Sequence, residues 1–212
     1  MRIVERPPLW WRALCPTALY RVAEQNRRVY LTFDDGPIPE VTPWVLDRLA
    51  ERDIKATFFM VGDNARRYPY LVEAVRSAGH TLGNHAMHHL QGLRTSLQTY
   101  VDDIDEARQY IDTPLFRPPH GLLRRSQAKA LSGRYDIVMY DVVTRDYSRR
   151  LTADEVFDNV CTLVRPGSII VFHDSLKSWP RLHEALPRSL DWLSEHGYTF
   201  APLKATVTAR LQ

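Results

Sequence analysis

The feature that most constrains this chain is a repeated one: a short apolar run stops abruptly at a cluster of acidic, basic or imidazole side chains. Arg28–Phe33 (RVYLTF) runs into Asp34-Asp35-Gly36-Pro37, and His80–Gly83 (HTLG) leads into His85-Ala86-Met87-His88-His89. Leu115-Phe116 leads into Arg117-Pro118-Pro119-His120-Gly121, and Ser168–Phe172 (SIIVF) ends on His173-Asp174. Runs this short, rich in β-branched and aromatic residues and bounded by turn formers, read as strands. Charged groups at the ends of buried strands are costly unless they are paired. The four clusters are therefore expected to meet in one shared polar site.

The intervals read as helices. Thr42–Arg52 places Val45, Leu46 and Leu49 at helical spacing, with Thr42 as N-cap and Pro43 at the first position. Tyr68–Ala78 is closed by Gly79, and further helices are expected near Ser126–Leu131, Ala153–Val164 and Leu182–His196. Ser96–Ile111 carries Leu97, Val101, Ile104 and Ala107 on one face and Asp102, Asp103 and Asp105 on the other. Ala56–Val61 and Ile137–Tyr140 add two more strands. Strands alternating with helices predict an α/β fold with a mostly parallel sheet, closed as a barrel, whose chemistry sits at the C-terminal strand ends.

Bulk properties narrow the classes. A chain of 212 residues with 44% hydrophobic and 25% charged residues suits one large domain and excludes a disordered chain. A net charge of +3 with interspersed signs gives no reason to expect nucleic acid. No apolar run reaches the roughly 18 residues of a membrane span. Residues 1–27, with Trp10, Trp11 and Tyr20, read as an accessory segment packed on a main domain over 28–212. The mixed-charge start MRIVERPPLWW lacks a signal-peptide core, so the default compartment is the cytoplasm, and the chain is expected to be a monomer. Cys15 and Cys161 fit no disulfide or metal spacing and read as small buried hydrophobes.

Each polar cluster is ambiguous alone. Asp34-Asp35-Gly36 can be a capped turn, Arg117 can pair with a helix end, and His173 can be a satisfied core histidine. His85 and His89, four apart, share one face if they lie on a helix and can then grip a metal ion; a surface histidine cluster is the alternative.

In order, Thr32-Phe33-Asp34-Asp35-Gly36, His85–His89, Arg117–Gly121, Asp141–Tyr147 and Val171-Phe172-His173 resemble the motifs of the polysaccharide deacetylases, carbohydrate esterases built on the NodB-like homology domain. The resemblance spans roughly residues 28–203. It implies a distorted (β/α) barrel of about seven strands and a metal-dependent hydrolase that removes N-acetyl groups from an amino-sugar glycan. Asp35, His85 and His89 would be ligands of one divalent ion, zinc first, with cobalt, nickel, manganese and iron admitted. Asp34 would be the general base, Arg117 the residue that fixes it, and His173 the general acid tuned by Asp146. Pro118, His120, Tyr140 and Val171 would line the substrate pocket, and the backbone N–H after Pro37 would help hold the oxyanion.

Two imidazoles and one carboxylate leave coordination positions open, as catalytic sites do. Several positions depart from the family pattern. Ala86 stands where a Ser or Thr hydroxyl usually braces the histidine loop, leaving that task to groups such as Asn84. His88 offers an alternative ligand and Asp141 an alternative partner for His173. His120 replaces a Tyr, Tyr140 a Trp and Val171 a Leu. Trp10, Trp11, Trp44 and Trp179 are sugar-stacking candidates or ordinary packing aromatics. A related metal amidase acting on a small non-glycan amide, and a catalytically idle glycan-binding protein on the same fold, are the competing readings.

Overall fold

In the computed structural model, which describes residues 5–8, 12 and 15–206, strands alternate with helices along most of the chain, the exception being two short strands at 136–137 and 142–143 that follow each other directly. The strands are β1 (Arg28–Asp34), β2 (Thr57–Met60), β3 (Thr81–Asn84), β4 (Leu115–Phe116), β5 (Asp136–Ile137), β6 (Val142–Val143), β7 (Ile169–His173) and β8 (Thr199–Phe200). They pair in the order β5-β4-β3-β2-β1-β7-β6, with β8 added beside the start of β1, and every pairing is parallel. This is the seven-stranded incomplete barrel, with helices around it. No ladder joins β5 to β6 among the described residues. Part of the amino-terminal segment runs beside those end strands instead. Leu19 donates to Ile137 O at 2.8 Å and accepts from Met139 N at 2.8 Å, while Glu5 O accepts from Val143 N at 2.9 Å. Trp10 and Trp11 lie outside the described residues.

The helices are α1 (Thr42–Ala50), α2 (Gly62–Arg67), α3 (Pro69–Ser77), α4 (Leu97–Ala107), α5 (Arg125–Leu131), α6 (Ala153–Leu163) and α7 (Trp179–Glu195). Parallel strands covered on both faces must be apolar on both, and β2 is buried at all four positions. Phe33, Phe58 and Phe172 point outward into one core and stack at 5.0 and 6.1 Å between ring centroids. Because strand side chains alternate, the residues on either side of Phe33 face the other way: Thr32 and Asp34 share a face. The β1–β7 register sets Thr32 beside Val171 and Asp34 beside His173.

The sequence expectations need correction at several elements. Thr42 is not an N-cap; it is the first residue of α1, and its hydroxyl accepts from Ile38 N and donates to Asp174 instead. A separate helix, α2, precedes the expected one at Tyr68, and the short β6 and β8 offer too few residues for a periodicity to be read. The acids of α4 do not all face solvent, since Asp103 is buried beneath the histidine loop. Cys161 is half-buried on α6 rather than buried, whereas Cys15 is buried; both are free thiols. Trp44 and Trp179 pack edge to face at 5.1 Å against the helical layer.

Candidate active site

Strand β1 delivers two adjacent aspartates to different tasks. Asp34, the last β1 residue, is buried and accepts from Arg117 Nη1 at 2.6 Å. The same nitrogen donates to Thr32 Oγ1 at 2.6 Å, one pleat back on the same face. The Arg117 side chain also donates to the carbonyls of Val138 and Met139 and lies over the Phe59 ring at 4.1 Å. Burial drives its pKa down while Asp34 opposes that fall, the signature of a cation held by partners rather than by water.

Asp35 follows in a left-handed backbone conformation (φ 77°) that swings its carboxylate away from Asp34. Two contacts fix this turn. Asn64 Nδ2 donates to Asp35 O at 2.9 Å, and Asp174, fully enclosed, accepts from Gly36 N at 3.1 Å and Thr42 Oγ1 at 2.6 Å. A Cβ at position 36 would sit 2.1 Å from an Asp174 oxygen, so only glycine fits there. Burial and the neighbouring Asp35 push the Asp174 carboxyl up to about 8 against the opposing Thr42 hydrogen bond.

His85 and His89 do come together, but not on a helix. Strand β3 ends at Asn84, and the histidines occupy an irregular loop in which Ala86 (φ 64°) and His89 (φ 55°) are both left-handed. Side chains capture the amides that a helix would have used. Asn84 Oδ1 accepts from Ala86 N at 2.8 Å, while Asp103 Oδ2 accepts from Met87 N at 3.1 Å and His88 N at 3.2 Å. Asn84 and Asp103 thus supply the bracing that Ala86 cannot. His88 turns outward, with Nδ1 2.7 Å from Asp103 Oδ1, and is no ligand candidate in this arrangement.

His85 Nδ1 is 2.8 Å from the Arg117 carbonyl, which can only accept, so Nδ1 carries the proton and Nε2 is left with its lone pair. Burial drives the His85 pKa down to about 4, which keeps that ring neutral. His85 Nε2 lies 3.7 Å and His89 Nε2 3.3 Å from Asp35 Oδ1. A tetrahedral ion with ligands at about 2.1 Å places neighbouring ligand atoms roughly 3.4 Å apart, so the triad matches a small divalent cation. Burial resists ionisation of Asp35, but the His89 hydrogen bond and the His173 imidazolium hold it below the usual carboxylate range.

On the opposite wall, His173 closes β7. Its backbone N donates to Asp146 Oδ2 at 2.8 Å and its Nδ1 lies 2.7 Å from Asp146 Oδ1, leaving Nε2 for the pocket. Burial disfavours the imidazolium, yet the Asp146 charge and hydrogen bond, with Asp35 and Asp34 beyond, push the pKa up to about 9. Asp141 is committed elsewhere: it is fully buried against Arg12, Arg165 and Ser168. The backbone N–H after Pro37 is also engaged, since Ile38 N donates to Thr42 Oγ1 at 2.8 Å and cannot hold an oxyanion in this arrangement.

Asp34, Asp35, His85, His89, Arg117 and His173 all line one cavity, and Pro118, His120, Tyr140 and Val171 stand in its walls. His120 packs edge-on against His89 at 4.6 Å. The sequence reading missed Tyr147, whose ring meets His173 at 4.9 Å, and Lys177 at the rim. Asn64 and Asp103 were missed as well, while Thr32 and Asp174 stand within the strand-end motifs with no role assigned to them. Thr32, two residues before Asp34, had its signal in strand periodicity, and Asp174 in the polar cluster that ends Ser168–Phe172.

A family model described as polysaccharide deacetylase matches residues 21–134, more than half of the chain. The chain belongs to the polysaccharide deacetylase family. Its relatives are named as deacetylases, hydrolases of carbon–nitrogen amide bonds, and it is a hydrolase of that class. It is 32% identical to a peptidoglycan-N-acetylglucosamine deacetylase of Bacillus cereus over 85% of this chain and 88% of that one. A peptidoglycan-N-acetylglucosamine deacetylase of Listeria monocytogenes is also 32% identical over 90% of this chain, which spans 41% of that longer protein. The solved structure of the Bc1960 peptidoglycan N-acetylglucosamine deacetylase superposes with a TM-score of 0.85 at 29% identity, covering 92% of this chain and 94% of that one. Such members share the barrel described above.

Proposed function

We propose that this deacetylase-family chain removes the acetyl group from N-acetylglucosamine-type residues of a glycan, releasing acetate and leaving a free sugar amine. The observation that carries the reading is the convergence, in one cavity, of a carboxylate held by arginine, a metal-compatible Asp–His–His triad, and a histidine raised by its own carboxylate. Asp35, His85 and His89 would hold the ion, zinc being the choice that suits two imidazoles and a carboxylate. When bound, the ion supplies Lewis acidity toward water and the amide carbonyl.

The protein's own groups do the rest. Asp34 takes the proton of the attacking water, and Arg117 keeps its carboxylate aimed while using no donor on the substrate. His173, protonated at Nε2, gives its proton to the departing nitrogen, and Asp146 holds the ring in the required orientation. Tyr140 and Val171 line the cavity beside these groups and provide an apolar seat for the acetyl methyl. His120 and Pro118 flank the sugar.

The direct test is acetate release from an N-acetylated oligosaccharide by zinc-loaded protein. Activity should vanish on chelation and return with added zinc; turnover that survives complete metal removal overturns the reading. A pH profile tests the acid. His173 is protonated below about 9, so the rate should decline as pH rises through about 9, where that proton is lost. Asp146→Asn removes the anion that raises the histidine, and its alkaline limb should move to lower pH. An unmoved limb would separate His173 from the proton transfer.

A further inference from the structure

Arg145, the residue before Asp146, has a left-handed backbone (φ 63°). That conformation costs energy in a residue with a side chain and persists where the surroundings impose it. The turn decides where the two following side chains point. Asp146 Oδ2 accepts from His173 N at 2.8 Å and Oδ1 lies 2.7 Å from His173 Nδ1, while the Tyr147 ring sets its edge against His173 at 4.9 Å. An extended or right-handed residue 145 would redirect the chain and carry Asp146 out of that two-point contact.

The barrel holds the chain on either side of this turn. Thr144 N donates to Val171 O at 3.1 Å before it, and Arg181 Nε donates to Asp146 O at 2.5 Å after it. The Arg145 side chain is held from elsewhere. Its Nη1 donates to Glu5 Oε1 at 2.7 Å, and Glu5 is the one carboxylate that pairs with it among the described residues. The Glu5 side chain is 10% exposed and that of Arg145 27%, so water and salt screen this pair less than a surface one. Glu5 is itself fixed to the strand that leads into the turn, since its carbonyl accepts from Val143 N at 2.9 Å. Arg12, from the same amino-terminal segment, donates to Asp141 at 2.8 Å just before that strand.

We propose that Glu5 is a positioning residue for deacetylation, holding Arg145 in its left-handed turn and thereby keeping Asp146 aligned with the His173 ring. The inference rests on the reading of His173 as the acid and adds to it a residue from the amino-terminal segment. That segment is then part of the scaffold of the active site as well as a cover for the open side of the barrel. Glu5 touches no reacting atom, and its effect passes through Arg145 and Asp146. Its loss should therefore fall on kcat and leave KM and zinc content in place.

The test compares zinc-loaded wild type with Glu5→Ala, Glu5→Gln and Glu5→Ala/Arg145→Gly on an N-acetylated oligosaccharide. Glycine takes a positive φ without strain, so the double variant makes the turn with no clamp and strands no charge. Glu5→Ala should lower kcat by about tenfold to a hundredfold, the usual loss when a group that orients a working side chain is removed. Glu5→Gln keeps an oxygen within reach of Arg145 and should lose less. The double variant should regain most of the lost kcat. Should Glu5→Ala fail to fold, Glu5→Gln and Glu5→Gln/Arg145→Gly carry the same comparison, with the same recovery required. A kcat for Glu5→Ala within about twofold of wild type, or a double variant no better than the single one, overturns the assignment. The hydrogen-bonded Nδ1 proton of His173 gives a readout independent of turnover. Its low-field NMR resonance, identified by its loss in Asp146→Asn, should weaken in Glu5→Ala and return in the double variant. That pattern without acetate from wild type supports the positioning and overturns the deacetylase reading. A resonance unchanged in Glu5→Ala overturns the positioning whether or not acetate is released.

Discussion

Asp34→Asn should lower kcat for acetate release by about a hundred- to ten-thousand-fold, the contribution of a positioned general base, while leaving the fold and the metal content in place. The asparagine keeps the size of the side chain and an oxygen for Arg117 Nη1, so the buried hydrogen bond survives in weakened form. What disappears is the group that accepts the water's proton. The measurement pairs steady-state acetate release with zinc stoichiometry and a thermal melt. A variant that keeps more than a tenth of wild-type turnover would show that the proton leaves by another route. A variant that loses zinc along with activity would place Asp34 among the ligands instead.

The second large effect concerns stability. Arg117→Met should destabilise the protein by about 3–5 kcal/mol, as expected when one partner of a buried ion pair is removed and the other charge remains enclosed. Arg117 is 2% exposed, and besides Asp34 its guanidinium serves Thr32 and two backbone carbonyls that would lose their donor. Lysine should not rescue it, because an ammonium cannot present the planar fork that reaches Asp34 and the Met139 carbonyl together. Domains of this kind are stable by only about 5–15 kcal/mol, so the loss is readable in urea unfolding as a large drop in midpoint. A change below about 1 kcal/mol would mean that water reaches the pair, contrary to its burial. Arg117→Met combined with Asp34→Leu should recover part of the loss, since no charge is then stranded.

Much of this site was legible in the sequence because strand ends announce themselves. An apolar run that breaks into Asp, His or Arg is a local pattern, and Asp34, Arg117 and His173 each stand within one residue of the strand boundary the structure assigns. The choice between Asp141 and Asp146 was not local. It depends on which carboxylate faces β7, and Asp141 is claimed by Arg12 and Arg165, far from it in sequence. The histidine loop shows the other limit. Spacing of four predicted a helical face, whereas Asn84 and Asp103 took the amides and turned the segment into a loop that reaches the same end. Asp103 comes from α4, where periodicity alone grouped it with solvent-facing acids. Lys177 carries no sequence mark at all, being an ordinary lysine until its neighbours are placed.

The pairing of Asp34 with His173 as register partners on adjacent strands has a further consequence. The backbones that carry the proposed proton acceptor and donor are then one lattice step of the sheet apart, about 4.8 Å, a separation not set by any flexible connection. Loops around the rim can lengthen, shorten or exchange residues without changing that step. A slip of one residue in β7 would instead send the histidine to the opposite face. The sheet works as a ruler, with main-chain hydrogen bonds as its graduations, so the mouth of the cavity is free to diversify while the spacing of the backbones that carry Asp34 and His173 stays constant.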